Sequence, residues 1–336
     1  MMKKRIRLAG ALLAASLLIL PAGCGGKEAA PENVVFKIGV STGENDPRNV
    51  AARQFASEIA EKTGGAVTAE IYDSGSLGSD AALIGSLALN DGSVDIVISD
   101  ASNFSDYEPT MGISAMPFLF EDFDTAWEFM DSEIEAEAEA RLIDDNIRVL
   151  THYCNGFRCV TNSKHPIETP EDMKGLLIRT PQNPVIMATM TELGATPQPL
   201  DFSELYDALA AGIYDAQENP IPVIYNNNLY EVQDYLSVTN HIYSGMCFAI
   251  SESVWQKLTK EQQEIVLAAA EASAKADRES NRKQTEELIA SLKEAGMEIN
   301  EPELEPFVEA TSGVLTREAS TLGDLLPKLQ DWLAAR

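Results

Sequence analysis

Two arginines and an asparagine stand where a carboxylate could be gripped. Arg179 closes the apolar run Leu176-Leu177-Ile178-Arg179, which reads as a strand. Strands of an α/β sheet deliver their C-terminal ends to a ligand crevice. A guanidinium there can hold a carboxylate through two parallel N–H···O bonds, a geometry Lys cannot copy. On its own, Arg179 reads equally as a ligand clamp and as a structural ion pair. Arg158, in Asn155-Gly156-Phe157-Arg158, has an inter-strand or hinge ion pair as its simpler reading. Asn219 precedes Pro220, which restricts it to extended backbone and would hold its amide in place. A turn-forming Asn-Pro is the alternative.

Other chemistries leave no trace. The chain has no G-x-S-x-G, no H-E-x-x-H and no P-loop. His152, His165 and His241 show no metal-site spacing, and Cys154-x4-Cys159 is a poor zinc signature. No metal and no cofactor are expected. Cys154, Cys159 and Cys247 read as structural thiols, and sequence does not decide whether any of them pair.

The elements that must position these residues alternate between strand and helix. Val34–Val40, Val67–Tyr72 and Val94–Ile98 read as strands, with helices at Asn49–Lys62 and Asp80–Leu89 between them. Asp122–Leu142 reads as one helix, with Glu133, Glu135, Glu137 and Glu139 on a solvated acidic face. Residues 147–161 return to strand. Thr169-Pro170 looks like a helix cap. Pro184–Leu193 and Phe202–Ala211 read as helices, and 235–250 as two extended segments. Ser251–Ala295 runs without Gly or Pro, as one long helix or two in series, and 303–334 adds more helix. Trp127 and Trp255 fall on helices as packing residues. The alternation predicts an α/β fold of two lobes with crossovers between them.

The 336 residues carry 53 Asp+Glu against 25 Lys+Arg, a net charge of −28. Four of the basic residues, Lys3, Lys4, Arg5 and Arg7, lie at the very start, ahead of the apolar stretch Leu8–Leu20. Thirteen residues reach roughly 20 Å as a helix, short of the ~30 Å bilayer core, so the start reads as a secretory signal. Leu20-Pro21-Ala22-Gly23-Cys24 is similar to a bacterial lipobox, with Pro21 where Leu is usual. Cleavage would expose Cys24 for lipidation, followed by a flexible tether; ordinary cleavage near Ala22–Gly23 is the alternative. The mature chain loses four positive charges and stands near −32. Such an acidic body is repelled by nucleic acid and touches membranes only through an anchor.

An ordered series of short motifs carries a family resemblance. It includes Leu77-Gly78, Asp91-Gly92-Ser93-Val94-Asp95, Pro117-Phe118, Asn155-Gly156-Phe157-Arg158 and Pro166 through Pro181. It continues with Leu193-Gly194-Ala195-Thr196-Pro197, Phe202 through Leu209, Asp215-Ala216-Gln217-Glu218-Asn219-Pro220 and Thr239-Asn240-His241. From about Phe36 to residue 290 the chain resembles the solute-binding subunits of TRAP transporters, the DctP-like family. The resemblance implies a two-lobed periplasmic-binding-protein-type fold with hinge strands and a long helix spanning both lobes. Expected boundaries are 1–23 for the signal peptide and 24–33 for the tether. Lobe 1 takes 34–157 and about 246–285; lobe 2 takes 158–245 and about 286–336.

By the same resemblance, Arg179, Arg158 and Asn219 hold the ligand carboxylate. Asp100, Asn103, Phe202 and Ser41 match other pocket positions, and Asp80 and His241 match positions near the site. Asp100 suits ligand hydroxyls and punishes a second carboxylate nearby, which leans the ligand toward a hydroxylated monocarboxylate such as a sugar acid. The two arginines would equally serve a diacid. The implied protein is an extracytoplasmic, non-enzymatic monomer, lipid-anchored at Cys24, which serves DctQ/DctM-like permease subunits. Alternative readings are a binding protein for an ATP-driven importer, a sensory ligand module, and a secreted enzyme with Asp100 and Glu218 as its cleft carboxylates.

Overall fold

The computed structural model describes residues 33–336. The expected signal peptide, Cys24 and nearly all of the tether lie outside the described residues. The chain runs β1 (Val34–Gly39), α1 (Pro47–Lys62), β2 (Val67–Tyr72), α2 (Asp80–Leu89), β3 (Ile96–Asp100), α3 (Phe123–Met130), α4 (Glu133–Arg141) and β4 (Ile147–Asn162). It continues through β5 (Leu177–Thr180), α5 (Pro184–Glu192), β6 (Thr196–Pro199), α6 (Leu205–Ala210), β7 (Ala216–Pro220), α7 (Ile221–Asn226) and β8 (Tyr235–Ser251). Last come α8 (Glu252–Trp255), α9 (Lys260–Glu294), β9 (Glu298–Asn300), α10 (Glu305–Leu322) and α11 (Leu325–Ala334).

The strands form one mixed sheet in the order β2-β1-β3-β8-β4-β7-β5-β6, with β9 also on β8. Each end is a parallel βα unit: β1 pairs with β2 and β3, and β5 pairs with β6 and β7. Between them β4 and β8 run antiparallel to each other and pass from one end to the other. Their 16 and 17 residues reach roughly 50 Å. The two-lobed α/β expectation and its hinge strands correspond to this arrangement.

Alternation along β8 builds two core layers at once. Met246, Phe248 and Ile250 join Phe36, Phe55 and Ile59, whereas Tyr243, Cys247 and Ala249 join Phe104, Phe129 and Leu87 on the other face. Two smaller clusters cover the β5–β7 end, around Leu205, Ile224 and Leu292 and around Met173, Ile178 and Phe307.

Several expectations are refined. The 251–295 run is two helices in series. Thr259 starts α9 with a reciprocal cap: its N–H donates to Gln262 Oε1 (2.9 Å) and its Oγ1 accepts from Gln262 N–H (3.2 Å). Val266, Ala269 and Ala270 of α9 join the Phe36 cluster, and Leu288 and Leu292 join the Leu205 cluster, so the helix braces both ends. The two extended segments at 235–250 are the single strand β8.

The 122–142 helix breaks at Asp131–Ser132, where Ser132 caps α4. The acidic face is not uniformly solvated: Glu135 is 0% exposed. The physical reason is helical spacing, since residues two apart point nearly 200° apart around the axis. The C-terminal helices, expected with lobe 2, divide. Phe307 packs with Ile178, but Val314, Leu325 and Leu329 pack with Phe129. Among the described residues no helix is long and apolar enough to cross a membrane. Cys154, Cys159 and Cys247 are buried free thiols.

Candidate functional site

The C-terminal ends of strands from both sheet halves meet around one small cavity of about 50 Å³. Ser41 and Thr42 follow β1, Asp80 opens α2, and Asp100 and Asn103 follow from β3. Arg158 comes from β4, Arg179 from β5, Phe202 from the turn after β6, and Asn219 from β7. All the expected pocket residues but His241 therefore line one space. His241 is 0% exposed and sits behind Glu218, its Nε2 3.3 Å from Glu218 Oε2. Burial lowers its pKa, so it serves Glu218 as a neutral ring.

The arginines differ in their partners. Arg158 holds Glu218 in a fork: Nε donates to Oε2 at 2.5 Å and Nη2 to Oε1 at 2.9 Å. Nη2 also donates to the Glu218 carbonyl (2.8 Å) and to Asn219 Oδ1 (3.2 Å). The pair bridges β4 and β7, which is the inter-strand reading of Arg158. Burial would raise the Glu218 pKa, but Arg158 and His241 outweigh it and hold the carboxyl at about 2.

Arg179 is different. It is 3% exposed, and its Nε and Nη2 both donate to the Leu200 carbonyl, at 2.8 and 2.5 Å. Among the described residues no carboxylate lies within 4.0 Å of its nitrogens. Phe202 stands beside the guanidinium, 5.9 Å from Cζ to the ring centroid. Burial pushes its pKa down to about 10, the mark of a charge without a close counter-ion.

The polar wall is largely satisfied from within. Asn219 Nδ2 donates one hydrogen to Gln217 Oε1 (2.7 Å), which leaves its second amide hydrogen. Asp100 accepts from Ser102 N–H (3.0 Å), from the Ser102 hydroxyl and from the Ser244 hydroxyl. Asp80 accepts from Ser99 Oγ at 2.8 Å, and Asn103 Nδ2 donates to the same hydroxyl at 3.1 Å. Burial raises the Asp80 pKa. Glu218 does not line the cavity, so the cleft-enzyme nominees Asp100 and Glu218 do not face a common substrate space.

Sequence reading missed Arg48, Asn155, Pro181, Ile186, Val223 and Met246, which also line the cavity. Arg48 pairs with Asp46 (2.9 Å) and donates to Asn155 Oδ1. A signal existed: Arg48 lies in the first turn of α1, where the helix dipole disfavours a cation. A basic residue there, just after a strand, needs a local acid or a ligand, and here the local acid is Asp46.

Comparisons with known proteins give the family and the fold. The family model described as bacterial extracellular solute-binding protein, family 7 (DctP) matches residues 38–321. The 2,3-diketo-L-gulonate-binding periplasmic protein of Escherichia coli is 33% identical over 264 residues, 79% of this chain and 80% of that one. A TRAP periplasmic solute-binding protein from a Polaromonas species, solved with D-erythronate bound, superposes with a TM-score of 0.85 at 31% identity, covering 90% and 98% of the two chains. The sugar acid binding protein of Advenella mimigardefordensis, in complex with galactonate, superposes with a TM-score of 0.87 at 27% identity, covering 91% and 99%.

Proposed function

The chain belongs to the DctP family of bacterial extracellular solute-binding proteins, and on that premise we propose that it captures a small hydroxylated monocarboxylate for a TRAP membrane permease. The observation that carries the reading is Arg179: a buried guanidinium on the cavity wall with no carboxylate within 4.0 Å among the described residues. A ligand carboxylate would supply the missing counter-ion. The free amide hydrogen of Asn219 would add a second donor. Arg158 would contribute mainly field, because its fork is committed to Glu218. Asp80, Asp100 and Asn103 would meet hydroxyls, and the two acids would repel a second carboxylate. Relatives bound to D-erythronate and galactonate support a polyhydroxy monoacid.

The cavity is close-walled, with residues from both ends of the sheet around it. This means that ligand enters with the walls apart. We therefore assign a hinge-closing pair joined by β4, β8 and α9: about 34–157 with 246–285, which also carries the end of α10 and α11, and 158–245 with 286 to the start of α10. The ligand drives closure because it contacts both sides. The protein does no chemistry, acts as a monomer outside the cytoplasm, is anchored through Cys24, and docks in closed form on a DctQ/DctM-like permease pair.

A thermal-shift panel of four- to six-carbon aldonates, uronates and dicarboxylates tests the substrate class. At 100 times its dissociation constant a ligand stabilises by roughly 2.7 kcal/mol. We expect the largest shift from an aldonate. A largest shift from a dicarboxylate would overturn the class.

A further inference from the structure

A larger cavity lies elsewhere, a groove of about 620 Å³ between α3, α4, β4 and α9. Glu139 and His152 line it, and with Cys247 buried behind them they bring a carboxylate oxygen, a ring nitrogen and a thiol within 4.8 Å of one another. The fold makes this cluster in two ways. His152 and Cys247 are directly opposed partners on the antiparallel strands β4 and β8. Glu139 stands on α4, which packs on the sheet one turn from Glu135.

Two further features point to an occupant. Asp131 Oδ1 lies 3.7 Å from His152 Nδ1, and Arg278 grips Asp131 at 2.6 and 2.7 Å. A carboxylate near the far nitrogen of a histidine is a common neighbour of metal-ligating imidazoles, though at 3.7 Å this one acts through charge and not as a hydrogen bond. Here it leaves Nε2 facing Glu139. Independently, Glu135 is 0% exposed and neither of its carboxyl oxygens has a hydrogen-bond partner. Buried carboxyls are nearly always partnered. Glu135 precedes Glu139 by four residues on the same face of α4, which sets the orphan beside this cluster.

We propose that Glu139, His152 and Cys247 form a binding site for a zinc-like divalent cation, with Glu135 as fourth ligand or as acceptor for a metal-bound water. Imidazole and thiolate select zinc-like ions over magnesium and calcium, which prefer oxygen ligands. On binding, the Cys247 thiol and the imidazole, with any proton on Glu135, release their protons to solvent, and the ion takes the place of the proton between His152 and Glu139. The groove gives the ion a path from solvent to His152 and Glu139. The site joins α4 to both long strands and lies apart from the organic-acid cavity, so it stands whatever acid the protein binds.

The test titrates untagged, chelator-treated full-length protein with Co²⁺ and follows its absorption, with equilibrium dialysis for Zn²⁺. We expect one Co²⁺ per chain, a thiolate-to-cobalt charge-transfer band, and displacement by Zn²⁺ but not by Ca²⁺ or Mg²⁺. Cys247→Ser should abolish the band. Glu139→Gln, at the groove edge and least disruptive to folding, should keep the band and weaken binding at least tenfold. Binding below one ion per chain in the wild type, no charge-transfer band, displacement by Ca²⁺, or a band that survives Cys247→Ser would each overturn the site. The wild-type spectrum decides the matter even if a variant fails to fold.

Discussion

Arg158 gives both edges of its guanidinium to Glu218, whereas Arg179 gives two nitrogens to a single carbonyl. The difference predicts different phenotypes. Arg158→Ala strands Glu218 uncompensated, and losing one partner of a buried pair costs about 3–5 kcal/mol, read as a lower denaturation midpoint. Asp277 makes an opposite kind of prediction. It is buried, accepts from Cys154 N–H at 2.6 Å, and leaves Oδ1 without a partner. Burial pushes its pKa up to about 8, with Asp46 adding and Arg48 and Arg278 opposing. The unfolded chain releases this proton near pH 4, the folded chain near 8, so folded protein holds more protons between them. Its contribution to stability is therefore full below about pH 4 and falls by up to about 1.4 kcal/mol per pH unit as pH rises toward 8, alongside a like contribution from Glu135. Asp277→Asn should flatten that slope in urea titrations across the range. That Arg179 and Asn219 would line one cavity came from the family resemblance, since the apolar strand and the following proline alone left each with a structural alternative. Arg48 was not legible in the sequence, because its cavity-facing position depends on a salt bridge to Asp46 and a contact with Asn155 across the fold.

At the scale of elements, the central strand β4 changes register against β8 between Cys154 and Gly156 and again between Arg158 and Val160. Gly156 has a φ of 110°, and an added Cβ would lie 3.1 Å from Asn281 Oδ1 and 3.2 Å from Pro220 Cβ. The bulge sits two residues before Arg158 and brings β4 close to α9 and the end of β7. Gly156→Ala should cost about 1–3 kcal/mol of stability by denaturant unfolding and weaken ligand binding with it. Most strands and helices were legible from periodicity. The exceptions have local causes. Asp131–Ser132 interrupts a helix-compatible run because Ser132 offers a cap, and α3 and α4 then pack separately. The burial of Glu135 was invisible, since a run of alternating Glu and Ala reads as solvated until the sheet that covers one side is known. The three-thiol question was closed only by the fold, which buries Cys154, Cys159 and Cys247 as free thiols.

For the whole molecule, the net charge of −28 sets a field that opposes an anionic ligand at long range. The screening length falls from about 30 Å at 0.01 M salt to about 8 Å at 0.15 M. The association rate constant for the acid, measured by stopped-flow fluorescence, should therefore rise with salt over that range. A falling rate would mean that the arginines, not the acidic exterior, govern the approach. The proposed clamp is Arg179, whose guanidinium has no carboxylate within 4.0 Å among the described residues and would hold the ligand carboxylate once inside. Isothermal titration of wild type and Arg179→Ala with the tightest acid of the panel tests it most directly. The account predicts a loss on the order of 2–5 kcal/mol, with unfolding little changed, because the variant removes the partner of a buried ligand charge. Equal affinity in the two proteins would contradict it.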